Sequence, residues 1–328
     1  MLVITGGAGF IGSNLVAALE ARGARDLVVV DRLGTDEKWR NIAKRELAAV
    51  IPPERLDAFL EARRDEIEAI FHMGAISATT ERDADLIVET NIVLSQHLWE
   101  WCARTDTRLI YASSAATYGD GSAGFADTAT PEALARLRPL NAYGWSKHVF
   151  DRRVLRLAER NVARPRQWAG LKFFNVYGPN EYHKDDMRSV ISKLHPQIVA
   201  GEPARLFKSY RPDYPDGGQM RDFVWVDDCV DVMCWLYDNP SVSGLFNIGS
   251  GKARSWLDLA HAVFDAAGIE PRVEFVEMPE SLRAKYQYFT EASLAGLRAA
   301  GYDRAMTPLE DGVRTYVRDY LAAEDPYR

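Results

Sequence analysis

The chain has 328 residues, a formal net charge of −7 and a hydrophobic content of 47%. This length favours a large globular domain with a smaller partner, and the composition is that of an ordinary folded protein. The negative charge argues against a general affinity for nucleic acid or for an anionic membrane surface. Strand-like residues follow Met1 directly and no run approaches the roughly 18 apolar residues of a membrane span, so we expect a cytoplasmic protein.

Cysteine and histidine form no pattern typical of a metal site. The three cysteines are odd in number and lack metal-ligand spacing, and the six histidines are scattered singly. We therefore expect reduced, buried cysteines and no metal.

The first thirty-one residues predict a strand, a glycine-rich turn, a helix and a second strand that ends in Asp31. Glycines at 7, 9 and 12 allow a tight turn and a close approach of backbone to a pyrophosphate, and the helix N-terminus offers free N–H groups to phosphate. A carboxylate about 20 residues further on is placed to accept hydrogen bonds from a ribose. A dinucleotide site is the prediction, and a plain strand-to-helix turn is the alternative.

The residues around Asp31 bear on the choice between NAD and NADP. Asp31 alone favours a free 2′-hydroxyl and therefore NAD. Arg32 follows it directly and Lys38 lies in the next loop, and both cations could neutralise a 2′-phosphate. We predict NADP, with NAD as the alternative.

Short apolar strands alternate with amphipathic helices along the first half of the chain. This alternation predicts an α/β fold, a Rossmann-type doubly wound parallel sheet with right-handed crossovers and a smaller α/β substrate-binding domain. The predicted strands span 69–72, 108–112, 171–174 and 244–248, and the predicted helices span 85–102, 142–160 and 226–237. We assign residues 1–170, joined by 222–240, to the nucleotide-binding domain and 171–328 mainly to the substrate-binding domain.

Three features mark the second half. Residues 209–220 are rich in proline, glycine and aspartate, which predicts a long irregular loop of the functional or mobile kind. Ser255 with Asp258, and Thr307 with Glu310, have the spacing of a hydroxyl N-cap followed by an acid.

Tyr143 and Lys147 lie four residues apart at the start of a predicted helix, so their side chains share one face. An ammonium near a phenol lowers the phenol pKa, as an acid/base group requires. Ser113 and Ser114 end a predicted strand at the carboxyl edge of the sheet, which is where ligands bind in such folds. Alone, the tyrosine and lysine would be a surface pair; together with a dinucleotide site they predict hydride-transfer chemistry.

With Gly6-x-x-Gly9-x-x-Gly12, the strand-end serines and Tyr143-x-x-x-Lys147, the chain resembles the extended short-chain dehydrogenase/reductase superfamily, the epimerases and dehydratases of nucleotide sugars. Residues 175–179 and 221–228 are similar to substrate-domain signatures of that superfamily. The resemblance implies that Tyr143 is the acid/base group, that Lys147 orients the nicotinamide ribose and lowers the Tyr143 pKa, and that Ser114 hydrogen-bonds the reacting oxygen.

Less generic segments resemble the branch of this superfamily that epimerises an ADP-bound heptose, namely residues 71–81, 111–119, 183–184 and 283–287. This resemblance implies inversion at C6 of ADP-D-glycero-D-manno-heptose for lipopolysaccharide core biosynthesis. Bound NADP would oxidise the alcohol transiently and return hydride to the other face. Two acid/base groups are then needed, Tyr143 and a lysine that matches Lys184. The resemblance also implies a homo-oligomer.

The same resemblance implies further contacts. Those with the cofactor are Gly6, Gly9, Phe10, Ile11, Gly12, Met73, Gly74, Ala75, Ile76, Ser77, Asn91, Lys147, Val176 and Lys184. Those with the substrate are Ser114, Asn175, Asp186, Lys193, Phe207, Arg221 and Tyr286.

The residues themselves leave alternatives open for several of these positions. Lys184 could be a solvated loop charge, and Phe207 and Tyr286 could be core residues. Arg221 suits a diphosphate through its planar fork, or it could form a salt bridge with Asp222 or Asp228.

Two other functions compete with the heptose epimerase. The first is a nucleotide-sugar 4-epimerase or 4,6-dehydratase, although a dehydratase would need an acid beside Ser114, where the chain has Ala115 and Ala116. The second is a non-catalytic NADP-binding regulator, which would not need to keep Ser114, Tyr143 and Lys147 together.

Overall fold

The structure is a computed structural model that describes residues 1–127, 129–160, 162–283 and 286–328. Its strands are β1 (Leu2–Thr5), β2 (Leu27–Val30), β3 (Ala49–Ile51), β4 (Ala69–His72), β5 (Arg108–Ser114), β6 (Trp168–Phe173), β7 (Asn175–Tyr177), β8 (Ala204–Phe207), β9 (Met220–Trp225), β10 (Gly244–Ile248), β11 (Ala253–Ser255) and β12 (Val273–Val276).

The α-helices are α1 (Phe10–Ala21), α2 (Leu56–Ala62), α3 (Ala84–Ile87), α4 (Leu94–Thr105), α5 (Pro131–Arg136), α6 (Ala142–Glu159), α7 (Val190–Val199), α8 (Val226–Asp238), α9 (Trp256–Ala267), α10 (Glu280–Arg283), α11 (Ala295–Ala299) and α12 (Leu309–Tyr316). A π-helical segment, Val88–Val93, joins α3 to α4, and a second, Val317–Leu321, continues α12. The predicted 85–102 helix is therefore a helix with a π-helical interruption.

A seven-stranded parallel sheet of order β10-β6-β5-β4-β1-β2-β3 forms the centre of the molecule. Strand order reverses between β1 and β4, and the carboxyl ends of these strands mark the crevice where such folds bind ligands. The predicted Rossmann-type α/β fold is confirmed.

Alternating strand residues supply the cores on the two faces of the sheet. Ile4 packs with residues of α1 and α8, whereas its neighbour Val3 packs with residues of α4 and α6. Successive strand side chains point to opposite faces, and because both faces are covered by helices the strands read as continuous apolar runs.

A three-stranded sheet, β11-β9-β7, and a two-stranded sheet, β12-β8, belong to the second half of the chain. A separate core of α7, α9 and α12 residues, including Ile191, Val263 and Val313, packs there. The division into two domains stays a prediction. The central sheet also takes a strand, β10, from beyond the 222–240 segment that we expected to join it.

Of the two predicted helix starts, one is confirmed and one is wrong. Ser255 and Asp258 form a reciprocal capping box at α9. Thr307 instead donates its hydroxyl to the Asp228 carboxylate at 2.8 Å, and Pro308 takes the cap position of α12. The hydroxyl is held by the Asp228 carboxylate of α8 and accepts no hydrogen bond from the described N–H groups at the start of α12. The position of that carboxylate could not be predicted from the local sequence.

Two further expectations can be compared with the structure. The three cysteines are buried and free, as predicted. No helix in the described part of the chain is long and apolar enough to cross a bilayer.

Candidate active site

A cradle of glycines lies where β1 and β4 end. Gly6 has a φ of +65°, and a Cβ there would lie 2.6 Å from the Gly74 Cα. A Cβ on Gly12 would lie 2.2 Å from the Gly6 carbonyl oxygen. Only glycine fits these positions, and Phe10 begins α1 directly after the turn, with Ile11 and Gly12 in its first turn. The cradle fits the pyrophosphate of a dinucleotide.

Asp31 lies beside this turn and is held by three donors. Its carboxylate accepts hydrogen bonds from the Ala8 N–H at 3.0 Å, the Arg32 N–H at 2.8 Å and the Lys38 ammonium at 2.7 Å. The Arg32 side chain pairs with Glu54 at the surface. The structure thus brings Lys38 to Asp31, while the Arg32 guanidinium is engaged elsewhere.

Asn91, in the π-helical segment, holds the loop that follows β4. Its side-chain amide accepts from the Ile76 N–H at 2.9 Å and donates to the Ile76 carbonyl at 3.0 Å. It also donates to the Ser146 hydroxyl on α6 at 3.1 Å. Asn91 therefore positions the predicted cofactor loop, Met73, Gly74, Ala75, Ile76 and Ser77, relative to the helix that carries Tyr143.

A buried histidine that was not predicted from the sequence, His72, lies at the carboxyl edge of the central sheet and contacts side chains of β1 and α4 there. His72 contacts the Thr5 hydroxyl at 2.6 Å and the Ser95 hydroxyl at 2.9 Å through its two ring nitrogens. Burial, with a smaller effect of Lys147, lowers the pKa of His72 to about 3, so the imidazole is neutral. Its place at the end of an apolar strand was the signal that could have identified it.

Ser114, Tyr143 and Lys147 lie at the ends of β5 and α6. The Ser114 hydroxyl accepts from the Ala116 N–H at 3.1 Å, and Asn141 caps α6 so that Tyr143 and Lys147 lie in its first two turns. Burial lowers the pKa of Lys147 to about 8, an effect that Asp151 opposes.

The pKa of Tyr143 is raised above that of a free phenol. Burial raises it, Ser114 lowers it and Asp151 raises it further. The phenol thus holds its proton in the protein alone, because desolvation outweighs the help of the serine.

Lys184 lies in the 3₁₀ segment Tyr182–Met187, and its ammonium nitrogen is 5.5 Å from the centre of the Phe10 ring. The side chain is partly buried, and burial lowers the Lys184 pKa, an effect opposed by Glu181. Within the described residues it makes no ion pair. The structure thus places Lys184 at the N-terminus of α1 rather than free in solvent.

Asn175 and Val176 line a pocket of about 150 Å³ together with Arg188, Phe223 and Trp256. Lys193 donates to the Asp186 carbonyl at 2.5 Å. These two predicted substrate-binding residues therefore lie next to each other. A larger depression of about 420 Å³, beside Glu68 and Arg104, lies at the opposite edge of the sheet.

Arg221 on β9 is 8% exposed and lies over two aromatic rings, 5.2 Å from the Tyr286 centre and 5.8 Å from that of Trp256. The one hydrogen bond that its guanidinium makes to the described residues goes to the Met220 carbonyl at 2.8 Å. Burial lowers its pKa, and Tyr286 and Tyr214 oppose that effect. Phe207 packs edge-on against Tyr286 at 6.3 Å.

The predicted alternative for Arg221, a salt bridge, is not found among the described residues. Asp222 accepts from Ser250, Gly251 and Ala292, and Asp228 accepts from Thr307. A buried guanidinium without a carboxylate is a ready binding group for an anion. Ala284 and Lys285 of the 283–287 segment lie outside the described residues.

A family model described as the NAD dependent epimerase/dehydratase family matches residues 2–249. The chain therefore belongs to this family.

Individual relatives are similar to the chain over all or nearly all of its length. The chain is 54% identical over 329 residues to the ADP-L-glycero-D-manno-heptose-6-epimerase of Nitratidesulfovibrio vulgaris, with 100% of both chains covered. A crystal structure of the Helicobacter pylori ADP-L-glycero-D-manno-heptose-6-epimerase has a TM-score of 0.77 at 26% identity and covers 98% of this chain and 96% of its own. The Thermus thermophilus UDP-glucose 4-epimerase in complex with NAD has a TM-score of 0.76 at 26% identity, with 98% and 99% covered.

Proposed function

We propose that this protein inverts C6 of ADP-D-glycero-D-manno-heptose to give ADP-L-glycero-D-manno-heptose, for lipopolysaccharide core biosynthesis. The observation that carries the proposal is the position of Lys184, a partly buried amine over Phe10 at the glycine cradle. It adds a second acid/base group to the one supplied by Tyr143. The full-length identity to a relative of that name supports the choice of substrate.

The two groups are suited to the two proton transfers that inversion at C6 requires. The lowered pKa of Lys184 favours a neutral amine that can take the proton of the C6 hydroxyl. The raised pKa of Tyr143 favours a phenol that can donate a proton to the C6 oxygen as the alcohol forms again. In the reverse direction the roles exchange. When bound, the nicotinamide supplies the hydride acceptor and donor.

The remaining residues bind and orient. The glycine cradle would hold the pyrophosphate of the cofactor, and Lys147 would hold its nicotinamide ribose. Arg221, with Tyr286 and Phe207 beside it, would clamp the diphosphate of the substrate. Ser114 would donate to the reacting oxygen, and Asn175, Asp186 and Lys193 would contact the sugar.

We propose NADP as the cofactor. The support is the Lys38 ammonium, which lies 2.7 Å from Asp31 and offsets the negative charge that would repel a 2′-phosphate. Measuring the dissociation constants of NADP and NAD for the Arg32→Ala/Lys38→Ala double variant tests this. The preference for NADP should fall, and an unchanged ratio would contradict the assignment.

The function itself is tested with the purified, unaltered protein. Incubation with ADP-D-glycero-D-manno-heptose should invert C6, which NMR of the sugar reports directly. Turnover of a UDP-hexose without inversion of the heptose would refute the proposal in favour of a 4-epimerase. Bound NADP with no turnover of any sugar nucleotide would favour a regulator.

The role of Lys184 is tested by Lys184→Ala, with Lys252→Ala at an exposed position as the matched control. Loss of an acid/base group should lower kcat about 10²- to 10⁴-fold. Full activity of Lys184→Ala would refute the two-base mechanism while leaving the substrate assignment standing.

We also propose that the protein is a cytoplasmic homo-oligomer, as its resemblance implies. Light scattering of the purified chain during size-exclusion chromatography measures its mass, and a monomer would contradict this.

A further inference from the structure

The 325–328 segment lies against the part of the chain that carries Lys38. Lys44 donates to the Tyr327 carbonyl at 2.6 Å and pairs with Asp325 at 2.9 Å. The Arg40 guanidinium lies 4.5 Å from the centre of the Tyr327 ring. Arg40 belongs to the 3₁₀ segment Glu37–Ile42 and Lys44 lies two residues after it. The 325–328 segment is therefore fixed to the proposed ribose end of the cofactor site.

The same segment lies against the part of the chain that carries Lys184. The Tyr182 hydroxyl donates to the Pro326 carbonyl at 2.9 Å, and the Tyr182 and Tyr327 rings meet edge-to-face at 5.2 Å. The Arg328 N–H donates to the Asn180 side chain at 3.0 Å. Tyr182 lies two residues before Lys184 in the same 3₁₀ segment. These contacts therefore fix the backbone that carries Lys184.

Arg328 anchors the 325–328 segment, which packs against a loop that contains two residues with positive φ. The Arg328 guanidinium pairs with Asp227 and donates to the Tyr320 hydroxyl at 3.0 Å. The loop it helps to hold has positive φ at Asn180, +71°, and at Asp185, +45°. Non-glycine residues keep such conformations only where the surroundings fix them, and Asp185 directly follows Lys184.

Asn41 joins the two sides directly. Its side-chain amide donates to the Ala8 carbonyl at 2.9 Å and to the Asn180 carbonyl at 3.1 Å, and it lies 3.2 Å from the His183 ring. The glycine turn, the Lys38 segment and the Lys184 loop thus form one packed unit, which the 325–328 segment covers from outside.

We propose that Tyr327 is a positioning residue for the epimerisation, holding Lys184 in register with the cofactor site through Tyr182. This rests on the proposed function and goes beyond it, because none of the residues to which the resemblance assigns a role lies in the 325–328 segment. The ring of Tyr327 makes the contacts that matter for this role, because it packs against Tyr182 and Arg40. The residue as a whole is 9% exposed.

The test compares Tyr327→Ala with Tyr327→Phe in the full chain, using the NMR assay of C6 inversion. Tyr327→Ala should lower kcat about tenfold or more while KM changes less than about twofold, because a misplaced general base slows chemistry without removing substrate contacts. Tyr327→Phe keeps the ring and should retain at least half of kcat. The control is Arg314→Ala, which breaks an exposed pair with Asp311 on α12.

A double-mutant cycle separates positioning from a general loss of structure. If Tyr327 acts through Lys184, then Tyr327→Ala should change kcat little in a Lys184→Ala background. Equal losses in both backgrounds would overturn the proposal, as would parental kcat in Tyr327→Ala or equal losses in Tyr327→Ala and Tyr327→Phe.

A second variant keeps the proposal testable if Tyr327→Ala does not fold. Lys44→Met removes two contacts of the 325–328 segment from a half-exposed position and should lower kcat by a smaller factor in the same direction. Parental kcat in Lys44→Met would then contradict the proposal. If the unaltered protein does not invert the heptose at all, the proposed function fails first and independently.

Discussion

At the scale of the residue, Arg221 is informative because its guanidinium contacts no carboxylate among the described residues. Arg221 is a buried cation whose described partners are a carbonyl and two aromatic rings. Burying an unpaired guanidinium is costly, which supports the proposal that an anionic ligand pairs with Arg221. The sequence could not settle this, because Asp222 and Asp228 stand close to Arg221 in the chain yet turn toward Ser250 and Thr307.

Arg221→Lys tests this reading at the residue scale. The ammonium keeps the charge but loses the planar fork, so a charge-assisted hydrogen bond of about 1.5–3 kcal/mol is at risk. We expect KM for the sugar nucleotide to rise about 10- to 100-fold with a smaller change in kcat. Steady-state kinetics by the NMR assay measure both.

The matched control is Arg205→Lys, on strand β8 of the two-stranded sheet, where the arginine is exposed and pairs with Glu274. That exchange should leave KM unchanged. A KM for Arg221→Lys equal to that of the parent would show that Arg221 serves packing alone.

At the scale of elements, a buried ion pair joins β6 to α6, and hydrogen bonds tie β5 to it. Lys172 and Asp151 are 2.7 Å apart and 1% and 0% exposed. The Asp151 carboxylate also accepts from the hydroxyls of Tyr111 and Ser113, and Lys172 donates to Thr117. This network backs the strand end that presents Ser114.

Asp151→Asn should therefore destabilise the fold strongly. It leaves the Lys172 ammonium buried without a carboxylate, which costs about 3–5 kcal/mol of the free energy of unfolding. The combined Asp151→Leu/Lys172→Met variant removes both charges and should recover most of that loss. Urea unfolding measures each value, and Glu274→Gln, in an exposed pair, should cost less than about 1 kcal/mol. Equal losses in the single and double variants would show that packing, not charge, dominates.

Elements differed in how far the sequence predicted them. The apolar runs that became β1, β2, β4 and β10 were predicted because strands buried on both faces carry an uninterrupted hydrophobic signal. The edge strand β3 was missed, because its residues are only partly buried and three residues are too few to show a period. The π-helical segment that presents Asn91 was also beyond prediction, since a helix-like spacing does not report one extra residue per turn.

At the scale of the whole molecule, the local motifs predicted the polarity of the sheet, and the sheet then brought distant residues together. Thr5 and His72 meet because β1 and β4 pair in register. Lys184 reaches Phe10 from a segment more than half the chain away, a contact that the alternation of strands and helices did not predict. The predicted set of site residues came from motifs, and their arrangement came from tertiary pairing.

Two buried histidines and the partly buried His183 give the whole molecule a specific sensitivity to acid. Burial lowers the pKa of His72 to about 3 and those of His148 and His183 to about 4, from an unfolded value of 6.5. Below pH 6.5 these histidines therefore bind protons in the unfolded chain while they stay neutral in the folded chain. The free energy of unfolding should fall as the pH drops from 6.5 through about 4.

His148→Gln removes one of these titrations, and His261→Gln at an exposed position is its control. Near pH 5 His148 should contribute about 1 kcal/mol per pH unit to the slope of unfolding free energy against pH, close to the 1.36 kcal/mol expected for one proton. The variant should have a slope shallower by that amount, whereas His261→Gln should match the parent. Urea unfolding at several pH values between about 7 and 4.5 measures the slopes. A parental slope in His148→Gln would mean that His148 takes up its proton in the folded state, and that the acid sensitivity comes from other groups.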